Sequence, residues 1–159
     1  MAENDQVAGN EAETEGPQLA IITQYVKDIS FENPNAPASL NPELPQPNVE
    51  LVVNVQARAL TEENYEIELR IQATAKHDEN TAFILELVYG GMFLLKNFPQ
   101  EALEMICMIE CPRLIFPFAR RVVSDAVRDG GFAPLQLDPI DFQGLYQAHK
   151  AQEHQAGNA

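Results

Sequence analysis

Acid–base or nucleophilic chemistry needs a proton carrier beside a reactive group, and this chain has only three histidines, two cysteines and scattered carboxylates. His77 falls in a polar turn, and His149 and His154 in a polar C-terminal stretch, so no histidine is expected in an apolar pocket beside a nucleophile. Solvated surface histidines are the ordinary reading. Cys107 and Cys111 stand one helical turn apart, which puts both thiols on one face with poor geometry for a disulfide. They could supply two metal ligands, but a structural zinc site needs four, and the other candidate ligands fall in turns or tails. Reduced thiols filling core space are expected, with no metal. Gly90-Gly91 and Gly130-Gly131 lack the lysine and the strand-turn-helix setting of a phosphate loop, and read as a strand bend and a helix cap. No catalytic constellation emerges, so neither an enzyme nor a cofactor is expected. A small-molecule enzyme, the weakest alternative, would need polar groups converging in a pocket.

The acids that do gather point to binding. Asp28 and Glu32 are four apart in a strand pattern and therefore same-sided, and Glu86 can join them. A solvated face is the bland reading of such a set. Ile84 and Val88 beside the acids favour a docking surface for a basic partner, because a mixed apolar and acidic patch is a poor solubility device.

Four segments with a period of two must position these residues. The first sets Ile21, Tyr25, Ile29 and Phe31 against Gln24, Asp28, Ser30 and Glu32. The second runs Val49 to Arg58 and the third Tyr65 to Ala73, joined by a hairpin turn at Thr61 to Asn64. The fourth is Thr81 to Tyr89, after a turn at His77 to Asn80. Between the first two lies Asn33 to Asn48, which holds five of the 11 prolines and reads as a long crossover loop. Beyond Phe98 the period becomes helical. One helix starts at Pro99 and stops at Cys111-Pro112, and a second runs from Pro117 to Gly130-Gly131 with an apolar stripe including Phe118, Val122 and Ala126. Asp141 caps a short last helix through Phe142, Leu145 and Tyr146. The expected fold is α+β: a four-stranded antiparallel sheet with a Pro-rich crossover loop, followed by C-terminal helices packed on one face. Residues 1–18 and 148–159 are expected as disordered polar tails around a single domain at 19–147.

The sheet's edges and second face call for partners, and oligomerisation would cover them. Leu85, Leu87 and Tyr89, with the helix residues Phe118, Val122 and Ala126, are the interface candidates. Ten basic against 24 acidic residues give the chain of 159 a net charge of -14, which repels phosphate backbones and anionic lipid. No nucleic-acid partner and no stable membrane insertion are expected. Met1 to Pro17 has neither the cationic start nor the apolar run of a secretory signal, and a cytoplasmic location follows.

Tyr25 to Pro34 (YVKDISFENP), Thr81-Ala82-Phe83, Gly90 to Phe93 (GGMF), Cys111 to Arg120 (CPRLIFPFAR) and Phe132 to Leu135 (FAPL) closely resemble the SecB protein-export chaperones of bacteria. The likeness covers about residues 19 to 147, in the same order and at similar intervals. It implies a SecB-like fold assembled as a homotetramer, a dimer of dimers. It also implies an ATP-independent chaperone that holds unfolded secretory precursor proteins and delivers them to the SecA motor. Asp28, Glu32, Ile84 and Glu86 match the family's acidic SecA-docking face. A client groove is implied between the crossover loop and the terminal helix, with Phe31, Leu44, Phe142 and Tyr146 as candidates. Many relatives carry a Trp just before the Gln-Pro that opens the second strand, where this chain has Leu44-Pro45 before Gln46-Pro47. The alternative within the family is a stand-alone relative that controls a toxin partner.

Overall fold

A computed structural model describes residues 16–157. Strands β1 (Gln18–Glu32), β2 (Asn48–Ala59), β3 (Asn64–His77) and β4 (Asn80–Lys96) form one antiparallel sheet in the order β1-β4-β3-β2. The crossover loop lets β1 pair with β4 on one side while β2 pairs with β3 on the other. Helices α1 (Gln100–Met105), α2 (Cys111–Asp129) and α3 (Phe142–Ala156) follow. Of the expected N-terminal tail, residues 1–15 lie outside the described residues and Gln18 already belongs to β1.

Period-two alternation fixes which face is buried. Ile67, Leu69, Ile71, Ala73 and Ala75 of β3 stand opposite Gly91, Tyr89, Leu87, Leu85 and Phe83 of β4, and all are buried. Ile115, Ala119, Val123 and Val127 of α2, with Cys107 and Ile109 before it, close this core. Each fully buried aliphatic side chain contributes about 1.5–3 kcal/mol relative to exposure. Leu85, Leu87 and Tyr89 are thus spent inside the chain and cannot meet a second copy, which corrects half of the expected interface. Phe118 stays exposed and Val122 and Ala126 half-buried on the flank of α2.

Four further expectations are corrected. Cys111-Pro112 does not stop a helix, and Pro117 does not start one. Ile106–Glu110 widens into a π-helical turn, in which the Cys111 N–H donates to the Ile106 carbonyl, so Pro112 falls in the first turn of α2, where no N–H is needed. Pro117 then lies inside α2. The fourth strand does not end at Tyr89; β4 passes through Gly90 and Gly91 to Lys96. Residues 148–156 continue α3 as helix, with Lys150 paired to Glu104 at 2.8 Å and His149 3.1 Å from Glu153, one turn on.

The fourth correction concerns β1. Its pairing with β4 shifts register between Ile21 and Thr23 and again between Val26 and Asp28. Each shift inserts one residue and reverses the phase of alternation. Gln24 and Val26 therefore share the helix-side face with Ile21, Ile29 and Phe31, while Tyr25 joins Asp28, Ser30 and Glu32 on the outer face. Simple alternation had put Tyr25 and Gln24 on the wrong sides.

Candidate functional site

Register builds the outer face. Glu32 stands opposite Ile84, Ser30 opposite Glu86, and Asp28 opposite Val88, so Asp28, Glu32, Ile84 and Glu86 share one surface at the β1–β4 pair. The three acids are exposed, and Ile84 and Val88 half-buried. Asp28, Glu86 and Val88, with Arg70 and Gln72 from β3 and Val52 and Asn54 from β2, line a shallow hollow of about 270 Å³.

Next to this acidic set lies an ion network that the sequence did not announce. Glu66 and Glu68 of β3 are only 7% and 8% exposed although they face outward. The Tyr25 hydroxyl donates to Glu66 at 2.5 Å, the Lys27 ammonium reaches Glu66 at 3.0 Å and Glu68 at 2.5 Å, Arg58 of β2 reaches Glu66 at 2.9 Å, and Arg70 reaches Glu68 at 2.8 Å. The Tyr25 hydrogen bond, then that of Lys27, holds Glu66 down to about 2. Burial, then the bond to Glu66, pushes Tyr25 up to about 12. Gly90 makes the reach possible: a Cβ there would lie 2.5 Å from Cε2 of Tyr25, so only a bare backbone lets the ring cross β4. The glycine pair was a sequence signal for this close approach.

On the helix side, the crossover loop forms a groove of about 300 Å³ with Leu40, Leu44, Pro47, Phe83, Phe132 and Leu135 in its walls. Phe31 stacks on Phe83 at 5.6 Å, and Phe83 meets Phe132 at 5.1 Å. Gly130 accommodates Phe31, whose ring would be 2.3 Å from a Cβ at that position, and its carbonyl accepts a hydrogen bond from the Asn33 side chain. Leu44 therefore lines the loop groove and Phe31 supports its floor. The other two groove candidates are elsewhere. Phe142 is 2% exposed and packs edge-on against Phe116 in the core, and Tyr146 lines a separate small hollow with Val53, Val55 and Met108. Amphipathic spacing identified the apolar side of α3 but not the surface it meets.

A larger groove of about 770 Å³ runs beside the edge strand β2, between Val55, Ala57 and Tyr65 on one side and Leu103, Cys107 and Met108 on the other. Arg58, Glu66, Glu104 and His149 stand on its rim. Nothing in the residue pattern of β2 alone gives this groove, because its second wall comes from the π turn. Cys107 and Cys111 are both buried free thiols, and burial pushes Cys107 up to about 11 and Cys111 higher still. Among the described residues no helix is long and apolar enough to cross a membrane.

Comparison with known proteins matches this arrangement to one family. The model of the family described as preprotein translocase subunit SecB matches residues 12–153. The protein-export protein SecB of Rhodopseudomonas palustris strain TIE-1 is 50% identical over 151 residues, covering 94% of this chain and 96% of its own. That of Maricaulis maris strain MCS10 is 48% identical over 151 residues, covering 95% and 88%. Among solved structures, the Mycobacterium tuberculosis Rv1957 SecB-like chaperone, in complex with a ChAD peptide from the Rv1956 HigA1 antitoxin, is similar with a TM-score of 0.61. Its identity is 14%, and the match covers 77% of this chain and 90% of that one. The last likeness is one of fold.

Proposed function

This chain belongs to the SecB family of protein-export chaperones, and we propose that it holds unfolded secretory precursors in the cytoplasm and passes them to the SecA motor. The observation that carries the reading is the separation of two surfaces. Apolar grooves lie by the crossover loop and along β2, whereas Asp28, Glu32, Ile84 and Glu86 form an acidic set on the outer face of the sheet. Client holding and delivery need such a separation, because the client must remain bound while the motor docks.

Unfolded chains expose apolar segments, and each ~100 Å² buried in a groove contributes about 2.5 kcal/mol before ordering costs. The grooves by the crossover loop and along β2 are open rather than enclosed, so affinity comes from several weak sites acting on one client. No nucleotide is required for such binding. A homotetramer, built as a dimer of dimers, multiplies the sites. Ile21, Val26 and Ile29 of β1 and Leu114 and Phe118 of α2 are exposed apolar residues that support association of copies.

A second reading within the family is control of a toxin partner, favoured by the peptide complex of the Mycobacterium tuberculosis relative. Near-half identity to export proteins, against 14% to that relative, supports export.

The test is titration of SecA with the Asp28→Asn, Glu32→Gln variant at low and high salt, beside an assay of precursor holding. Loss of two charges per protomer is expected to slow association and flatten its salt dependence. Precursor holding is expected to survive. Unaltered SecA affinity at low salt, or a parallel loss of holding, would put the docking face elsewhere.

A further inference from the structure

The acidic face depends on a strand irregularity. Between Tyr25 and Asp28 the chain carries one residue more than alternation allows, and the register shift after Val26 absorbs it. Tyr25 and Asp28 thereby come to lie on the same face although they are three apart. A one-residue slip of the following segment would exchange faces, sending Asp28, Ser30 and Glu32 to the helix side and Ile29 and Phe31 outward. Phe31 packing on Phe83 opposes that slip at the far end of the segment. At the near end the inserted residue itself is held, beside the bond from Tyr25 to Glu66. The Lys27 ammonium crosses β4 to both Glu66 and Glu68, which Arg58 and Arg70 hold in turn from β2 and β3.

We infer that Lys27 is a positioning residue for the docking face: its pair of contacts with Glu66 and Glu68 pins the bulge that turns Asp28 and Glu32 outward. This rests on the docking reading above. Lys27 is adjacent to Asp28 and Arg70 shares the hollow with Asp28 and Glu86, yet both cations are already met by carboxylates of the same chain, Lys27 by Glu66 and Glu68 and Arg70 by Glu68, which leaves Asp28, Glu32 and Glu86 for a basic partner.

The sign of the Lys27→Ala effect separates positioning from simple charge. Removing a cation makes the protein more negative, so direct Coulomb attraction to a basic partner would tighten SecA binding. Positioning predicts the opposite, a loss of about five- to tenfold in affinity, the result of a loosened docking geometry. The amides of 28–32 are expected to exchange with deuterium faster in the same variant. Lys27→Arg, which keeps the charge and a long donor-bearing side chain, is expected to restore both readouts. If Lys27→Ala does not assemble, Lys27→Met keeps the aliphatic stem and removes only the charge. Equal or tighter SecA binding by the charge-removing variant, or unchanged exchange at 28–32, would overturn the inference. The Asp28→Asn, Glu32→Gln variant is measured in the same series. If it leaves SecA affinity unchanged, the docking reading falls, and faster or unchanged exchange at 28–32 alone then decides for or against the pinning role of Lys27.

Discussion

At the residue scale, Glu66 makes the clearest prediction. Its carboxyl is held down to about 2 by Tyr25, Lys27 and Arg58, so its ionised form stabilises the fold. That contribution is fully present above the ordinary carboxylate range and is lost as pH falls from about 4.5 towards about 2. Glu66→Gln is expected to cost about 1–2 kcal/mol at pH 7. The gap from wild type should narrow below pH ~4 as Glu66 itself becomes protonated. Denaturant unfolding at several pH values measures it, and a gap that widened in acid would contradict the assignment. Buried, raised thiols at Cys107 and Cys111 predict slow alkylation of the folded protein at pH ~8 and fast alkylation in denaturant. Changing both to Ala is expected to lower stability by roughly 1–3 kcal/mol through small cavities while leaving client holding intact. Stoichiometric zinc in the purified protein would contradict this. The sequence made the thiols legible, since spacing and neighbours suffice to place them in a core. Glu66 and Glu68 were legible only as outward polar residues, because Tyr25 and Lys27 reach them from β1 across β4 through bulges that alternation does not reveal, and Arg58 reaches Glu66 from β2.

At the element scale, hydrophobic period found all four strands and both long helical regions. It failed where one residue changed the phase. Alternation put Gln24 and Tyr25, which lie between the two inserted residues, on the wrong faces and those after Lys27 on the right ones, because an inserted residue leaves no mark in composition and the second insertion restores the phase. Pro112 and Pro117 read as punctuation, whereas a π turn and a helix start absorbed the first and the exposed side of α2 tolerates the second. Gly90 gives the test at this scale. Gly90→Ala would drive a methyl into the Tyr25 ring, which its bond to Glu66 holds in place. A cost of about 1–3 kcal/mol is expected. In a Tyr25→Ala background most of that cost should disappear, because the clash has lost its partner. Additive effects of the two substitutions would show that the ring does not need the bare backbone of β4.

At the scale of the whole molecule, one chain covers the helix side of β3 and β4 but leaves Ile21, Val26 and Ile29 of β1 and Leu51 of β2 exposed on that side, beside Leu114 and Phe118 of α2. The proposed association rests in the sequence on an excess of apolar surface. Which residues are left for a second copy was not legible there, since burial by α2 decides which part of the apolar set is already used. Light scattering is expected to give the mass of a tetramer, and a stable monomer at micromolar concentration would contradict it. The charge of -14 keeps such a surface soluble and favours cationic partner segments. The central claim is that the assembled protein holds unfolded chains without nucleotide, and the most direct measurement is refolding of a slow-folding secretory precursor diluted from denaturant. With the assembled protein in excess and no ATP present, refolding should be arrested in proportion to the amount added, whereas refolding at the unassisted rate would contradict the account.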